Sequence, residues 1–235
     1  MNFRRKPAGS TPPIWQGVYE SFDEVPRSEG HASREWLDAL AREVEAMRNA
    51  PLPDDVVLEH EALLFVLRTT HARRVLDFGG GAGQSYAFVR RVAPELDVRW
   101  TVVELPEVVA LGRTLLPDVT FTDTPVPADV IFIKSALQYL DDWRAALRSL
   151  FALNAPHLIL EKFSGVASRS YVTAQTNFGA TVPYRFIAFD ELFAEARAQG
   201  YERALWRRLP RLYDQSNFDE ALRMGQASTI VFAKV

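Results

Sequence analysis

The sequence predicts an α/β protein built on a doubly wound, mostly parallel sheet, with an N-terminal helical extension. Three observations carry that expectation. From residue 74 to residue 200 short apolar strands alternate with helix-like stripes, the pattern of βα units around a parallel sheet. Val75, Leu76 and Phe78 form a buried strand that runs into Gly79, Gly80, Gly81 and Gly83 and then into a helix from Gln84. A second strand ends on the carboxylate Glu104, 21 residues after Gly83.

The elements follow in order. Residues 1–30 are rich in Pro, Gly, Ser and charge and read as extended or irregular. Ser33 caps a helix over 34–48, whose apolar stripe is Trp36, Leu37, Leu40, Val44 and Met47. Pro51 and Pro53 separate it from a second helix at 56–70. Strands are expected at 74–78, 98–104, 119–122, 129–134 and 157–161, with helices at 84–92, 106–115 and 141–151. Pro106 suits a first helical turn. A helix at 190–199 ends at Gly200. Two late strands, 201–207 and 228–234, are joined by a long connection, which allows them to pair antiparallel. The organisation is an extension over 1–55, read as a lid with one helix, and a Rossmann-like domain over 56–235.

The glycine turn narrows the function. The dinucleotide fingerprint G-x-G-x-x-G fits Gly79 and Gly81 but fails at its third glycine, where Gln84 stands. The motif present is acidic-apolar-Gly-x-Gly-x-Gly, from Asp77 through Phe78 to Gly83. It resembles the first motif of the class I S-adenosylmethionine-dependent methyltransferases. That resemblance implies a seven-stranded sheet, S-adenosylmethionine as cofactor and S-adenosylhomocysteine as product. It assigns Asp77, Gly79, Gly80, Gly81, Gly83 and Ser135 to the cofactor cradle. Glu104, with the acceptor capacity for both ribose hydroxyls, and Leu105 follow the second strand. Asp123 and Thr124 reach the adenine under the resemblance; under a plainer reading, Thr-Asp-Thr-Pro is good turn chemistry.

The segment 129–140 is similar to the family's fourth-strand motif, which places Lys134, Ser135, Gln138 and Tyr139 at the carboxyl edge of the sheet. Gln138 and Tyr139 are candidate catalytic residues, with core packing as the alternative for Tyr139. Lys134 is directed toward an anionic acceptor or carboxylate. Glu161 is a candidate general base, or else half of a surface pair with Lys162. The metal-dependent members of the wider family carry an Asp at the end of the fourth strand; Lys134-Ser135 stands there, and no oxygen-ligand cluster is apparent, so no metal is expected. The segment 171–186, rich in amides, hydroxyls and aromatics, reads either as an acceptor pocket or as a polar loop. Gln175, Asn177, Tyr184 and Arg185 are its candidate acceptor contacts. Together with 14–24, where Trp15 and Tyr19 form either a lid or a staple, it resembles a sub-family of methyltransferases often encoded among polysaccharide-biosynthesis genes.

Composition sets the outer bounds. Hydrophobic residues make up 48% of the 235, enough for a sizeable core. The net charge of -3 gives no basic footprint, so no nucleic-acid partner is expected. The absence of cysteine fits a reducing cytoplasm. Arg4, Arg5 and Lys6 are followed by no apolar segment, so no secretory signal is read. No run approaches the about 20 apolar residues that cross a bilayer. His31, His60, His71 and His157 are scattered; His60 and His71 are expected on a helix surface and at a helix end, and only His31 lies in a segment able to reach a cleft. The expected activity is methyl transfer to a small polar acceptor by a monomer or homodimer, O-methylation of a sugar or natural-product hydroxyl. The rivals are non-methyl chemistry on the same fold, a non-catalytic S-adenosylmethionine-binding subunit, and an NAD(P) oxidoreductase, which Gln84 and the late strand pair disfavour.

Overall fold

The computed structural model of the chain describes residues 13–28, 33–177 and 179–235; His31, Arg4, Arg5 and Lys6 lie outside them. The described chain includes strand β1 (Trp15–Tyr19) and a 3-10 turn at Phe22–Glu24, where the sequence suggested extended or irregular chain. Helix α1 (Arg34–Asn49) starts as expected: Ser33 Oγ accepts from the Trp36 N–H at 3.2 Å. Its predicted stripe is the face that packs, with Leu40 and Val44 buried and Trp36, Leu37 and Met47 against them.

The single helix expected over 56–70 is two, α2 (Asp54–Glu59) and α3 (Glu61–Thr70). His60 is the break, and it is not on a surface: it is 1% exposed. Its Nδ1 donates to the Val56 carbonyl at 2.9 Å, and its ring stacks on Phe88 at 4.3 Å. A side chain turned inward to bond its own helix replaces continuation of that helix. His71 caps the end of α3 in the left-handed region, φ 53°.

The βα units then follow their expected bounds closely: β2 (Arg74–Phe78), α4 (Gln84–Val92), β3 (Arg99–Val103), α5 (Pro106–Leu115), β4 (Thr120–Thr122), β5 (Val130–Lys134), α6 (Trp143–Phe151) and β6 (His157–Phe163). After an insertion come α7 (Phe189–Ala198), β10 (Tyr201–Leu212) and β11 (Gln226–Lys234). The insertion holds β7 (Gly165–Val166), β8 (Tyr171–Asn177) and β9 (Ala180–Ala188).

Seven strands form one sheet in the order β4-β3-β2-β5-β6-β11-β10. β2 is an interior strand beside the central β5 and parallel to both neighbours, with Val75 opposite Trp100 on one side and Val130 on the other. β11 lies antiparallel between β6 and β10. Helices α1, α3, α4 and α5 cover one face; α6 and α7 cover the other. A parallel strand covered on both faces must be apolar throughout, which explains the unbroken Val-Ile-Phe-Ile of β5.

The second sheet, β1-β8-β9-β7, corrects the polar-loop reading of 171–186. β8 and β9 are a hairpin, and β1 joins antiparallel with Trp15 opposite Gln175. On β9, Val182, Tyr184 and Phe186 are buried and alternate with the more open Thr181, Pro183 and Arg185. Pro183 is tolerated because β7 meets β9 only at Ile187 and Ala188, so the edge beside Pro183 needs no N–H. Beneath lies a third core of Trp15, Tyr171, Tyr184, Phe186, Leu209 and Phe218.

Candidate active site

The glycine turn sits at the carboxyl end of β2, where α/β sheets bind ligands. Its conformation demands glycine. Gly79 has φ 66°, and a Cβ there would lie 2.3 Å from the Ala136 Cβ. A Cβ on Gly80 would lie 2.4 Å from the Asp77 carboxyl carbon. The turn is therefore folded down onto the side chain of Asp77 and against the loop after β5.

Asp77 is fully buried. Its Oδ2 accepts from the Trp100 indole N–H at 3.1 Å, while Oδ1 has no partner among the described residues. Burial pushes its carboxyl up to about 7, and the Trp100 bond pulls the other way. Glu104 closes the other side of the turn: Oε1 accepts from the Gly81 N–H at 3.0 Å and Oε2 from the Leu105 N–H at 2.9 Å. Burial raises its carboxyl, and these two bonds oppose the rise. Each oxygen keeps acceptor capacity for a further donor. Leu105 is 44% exposed beside it, an apolar side chain left open at a polar edge. Asp123 and Thr124 follow β4 and are exposed, with Thr124 Oγ1 donating to Asp123 at 3.0 Å. Glu104 and this turn are tied together by the Glu104 N–H on the Thr122 carbonyl, 3.1 Å. Ser135 ends β5 in the left-handed region, φ 55°, its N–H on the Glu161 carbonyl at 3.0 Å. The open acceptor pair of Glu104 and the glycine turn fit a ligand that offers a diol, while the unpartnered Asp77 oxygen is sealed beneath the turn as the Glu161 oxygens are.

Behind the turn lies a buried ionic cluster that the sequence did not reveal. Lys134 and Lys162 share Glu59, at 3.2 and 2.9 Å. Lys134 Nζ also lies 3.2 Å from His60 Nε2, which is 3.2 Å from Ser85 Oγ. Since His60 Nδ1 donates to Val56, Nε2 is the acceptor, and burial with the Lys134 charge holds the imidazole neutral, well below its ordinary range. Burial pushes Glu59 up, but the two lysines more than reverse it, so it stays ionised. Of the two partners suggested for Lys134, an anionic acceptor or a carboxylate, the structure gives it a carboxylate, that of Glu59. Glu161 is 0% exposed and neither oxygen has a partner among the described residues. Burial pushes its carboxyl up to about 8, with Lys134 pulling it down. It is no surface pair with Lys162, and its oxygens are sealed from an incoming acceptor.

On the other side of the cleft, three predicted residues come together. The Tyr139 hydroxyl donates to Gln175 Oε1 at 2.7 Å, and its ring meets Tyr184 edge-on at 5.1 Å. Tyr184 OH and Ser164 Oγ are 2.6 Å apart. Burial raises both phenols above their ordinary range. Gln138 is buried and turned away, its Nε2 donating to the Lys162 carbonyl at 3.3 Å. Arg185 faces the opposite side of β9, bound to Asp141 at 3.1 Å and over the Phe22 ring at 4.9 Å. Tyr19 packs with Phe22, Val25 and Val172. Asn177 is exposed at the hairpin end. Ser164 belongs to no motif, and Phe22, though inside the 14–24 segment, carries no signal of its own there.

Among the described residues no group of three or more His, Asp or Glu is arranged to hold a metal ion, and no helix is long and apolar enough to cross a membrane.

No family model and no curated protein sequence matches the chain. Solved structures do. The 1,6-didemethyltoxoflavin-N1-methyltransferase of Burkholderia thailandensis, crystallised with its substrate and S-adenosylhomocysteine, aligns over 90% of this chain and 95% of its own, with TM-score 0.52 and 18% identity. The magnesium protoporphyrin IX methyltransferase of Synechocystis, with bound S-adenosylmethionine, covers 86% and 95% at TM-score 0.54 and 11% identity. The CcbJ methyltransferase of Streptomyces caelestis covers 91% and 94% at TM-score 0.52 and 18% identity. The chain has the Rossmann-like methyltransferase fold. At these identities the likeness speaks for the fold alone.

Proposed function

We propose that the chain is an S-adenosylmethionine-dependent methyltransferase acting on a small polar acceptor, by O-methylation of a sugar or natural-product hydroxyl. One observation carries the reading: at the end of β3, Glu104 is fixed by the Gly81 and Leu105 N–H groups with acceptor capacity left over. Under this reading Glu104 takes the ribose hydroxyls, and Leu105, Asp123 and Thr124 flank the adenine. Asp77, Gly79, Gly80, Gly81, Gly83 and Ser135 hold the methionine part. The cofactor, when bound, supplies an electrophilic methyl group. The chain's task is to align the acceptor with that group and to exclude water. Tyr139 and Gln175 line the acceptor side. Glu161, sealed as it is, acts from beneath as a positioning group and not as the base that meets the acceptor.

The enclosure of Glu161 and the raised phenol of Tyr139 favour one second reading, a non-catalytic S-adenosylmethionine-binding subunit. Calorimetry against S-adenosylmethionine, S-adenosylhomocysteine and NADH tests the cofactor. Saturable binding of the first two and none of NADH is expected, with loss in Gly81→Arg. Unchanged affinity in a folded Gly81→Arg protein sinks the assignment. Methyl transfer to any acceptor of a hydroxylated panel separates enzyme from subunit.

A further inference from the structure

A groove of about 370 Å³ opens between the Phe22–Glu24 turn and β9, lined by Phe22, Arg27, Ser28, Tyr139 and the run Thr181, Val182 and Pro183. Its size is that of a small-molecule site, which spans about 300–1,000 Å³. It lies next to the glycine turn: Ala136, against which Gly79 is pressed, accepts from the Tyr139 N–H at 3.1 Å, and the Tyr139 ring lines the groove.

The lining decides what fits. Four of its seven residues offer apolar faces, and three of these are rings: Phe22, Tyr139 and Pro183. The polar groups are few and mostly committed. Tyr139 OH donates to Gln175, Ser28 Oγ accepts from the Thr181 N–H at 2.7 Å, and Thr181 Oγ1 is 3.2 Å from Thr176 Oγ1. A sugar here would find few side-chain partners for its hydroxyls, whereas an aromatic ring meets apolar faces. The one formal charge in the lining is Arg27. Among the described residues its carboxylate partner is Asp23 at 3.2 Å, with both side chains more than half exposed, and it also donates to the Phe22 carbonyl at 3.0 Å. Such a pair is worth about 0–1 kcal/mol, so an anionic ligand displaces it readily. Phe22 is held flat under the Arg185 guanidinium, so the slot keeps its shape.

We propose that this groove is the acceptor subsite and that it takes a single-ring phenolic carboxylate, the ring between Phe22, Tyr139 and Pro183 and the carboxylate on Arg27. The proposal rests on the methyltransferase reading for the word acceptor, and on the groove alone for the ligand class. It narrows the choice between sugar and aromatic hydroxyl to the aromatic one.

The test uses the full chain loaded with S-adenosylhomocysteine and follows binding by calorimetry and saturation-transfer NMR. The probes are benzoate, salicylate, 4-hydroxybenzoate and 3,4-dihydroxybenzoate, with phenol, D-glucuronate and methyl α-D-glucopyranoside as controls. At least one phenolic carboxylate is expected to bind about tenfold or more tighter than glucuronate. Val182→Trp, which fills the groove, is expected to weaken it about tenfold without changing S-adenosylhomocysteine affinity. Arg27→Gln, at an exposed position, is expected to weaken the carboxylates and leave phenol unchanged. The proposal is overturned if no aromatic carboxylate binds, if glucuronate or the glycoside binds as well, or if affinity is indifferent to Arg27→Gln. A chain that binds the aromatics in the groove but not S-adenosylhomocysteine overturns the cofactor reading and leaves the groove assignment standing.

Discussion

The two sides of the cleft are built on different principles. On the glycine side everything comes from short stretches of chain: β2, the turn, the start of α4 and the end of β3. Its shape is set by backbone conformation and by the space a Cβ would need. On the hairpin side nothing is local. Trp15 lies 5.5 Å from Tyr184 and 5.1 Å from Tyr213, and Tyr139 lies 5.1 Å from Tyr184, so four distant segments meet in one aromatic cluster. The first side reads as a rigid binding turn; the second is a small core whose geometry depends on packing. A molecule assembled this way can keep its glycine turn while the hairpin side is repacked.

Predictions follow from separating the two sides. The largest effect is expected from Trp15→Ala, a 2% exposed side chain at the centre of the hairpin core, at about 3–5 kcal/mol of stability by chemical denaturation. If the sides are independent, the folded fraction keeps its S-adenosylmethionine affinity within about twofold. Gly80→Ala is the counterpart. The Cβ contact with Asp77 is expected to cost about 2–3 kcal/mol and to abolish binding in calorimetry, while intrinsic tyrosine and tryptophan fluorescence of the hairpin core stays native. Glu104→Ala removes both N–H acceptors at the turn and is expected to weaken S-adenosylmethionine binding about 30-fold, close to 2 kcal/mol.

Glu161 gives a test by pH. Its carboxyl stands at about 8 in the folded chain against an ordinary 4.5, so the folded state holds the proton more tightly. The resulting stability is full below about pH 4.5 and is lost as pH rises toward 8. Glu161→Gln is expected to shrink the fall in stability between about pH 5 and pH 9 by up to about 4 kcal/mol, since about three of those pH units lie below the folded value at about 1.4 kcal/mol each. Part of the fall remains, because Asp77, raised to about 7, has the same sign. Denaturation midpoints at a series of pH values check it; parallel curves for both proteins contradict the buried neutral acid. The smallest effect is Tyr139→Phe, which deletes the bond to Gln175 and is expected to cost about 1 kcal/mol with cofactor affinity intact.

How much was legible follows the same division. The bounds of β2, α4 and α5 agree with the sequence pattern to the residue, because glycines, Pro106 and two-face burial act over a few positions. The hairpin itself is not legible in 171–186, whether that segment is taken as an acceptor pocket or as a polar loop, because Pro183 and the polar Gln175, Thr176 and Asn177 mask the alternation that buries Val182, Tyr184 and Phe186. β1 was missed because an edge strand of five residues becomes a strand only when β8 supplies its partner. The break at His60 and the enclosure of Glu161 were invisible for a related reason: what lies above a side chain is not written beside it.

The sequence by itself determined the order of βα units, the glycine turn that excludes any Cβ, and Glu104 at the strand end. Each of these rests on backbone conformation or on a period repeated within one element. Only the tertiary structure decided which carboxylate is sealed, which histidine joins Lys134 and which residues line the groove. Those depend on helices and strands far apart in the chain closing over one another, and burial is a property of that closure.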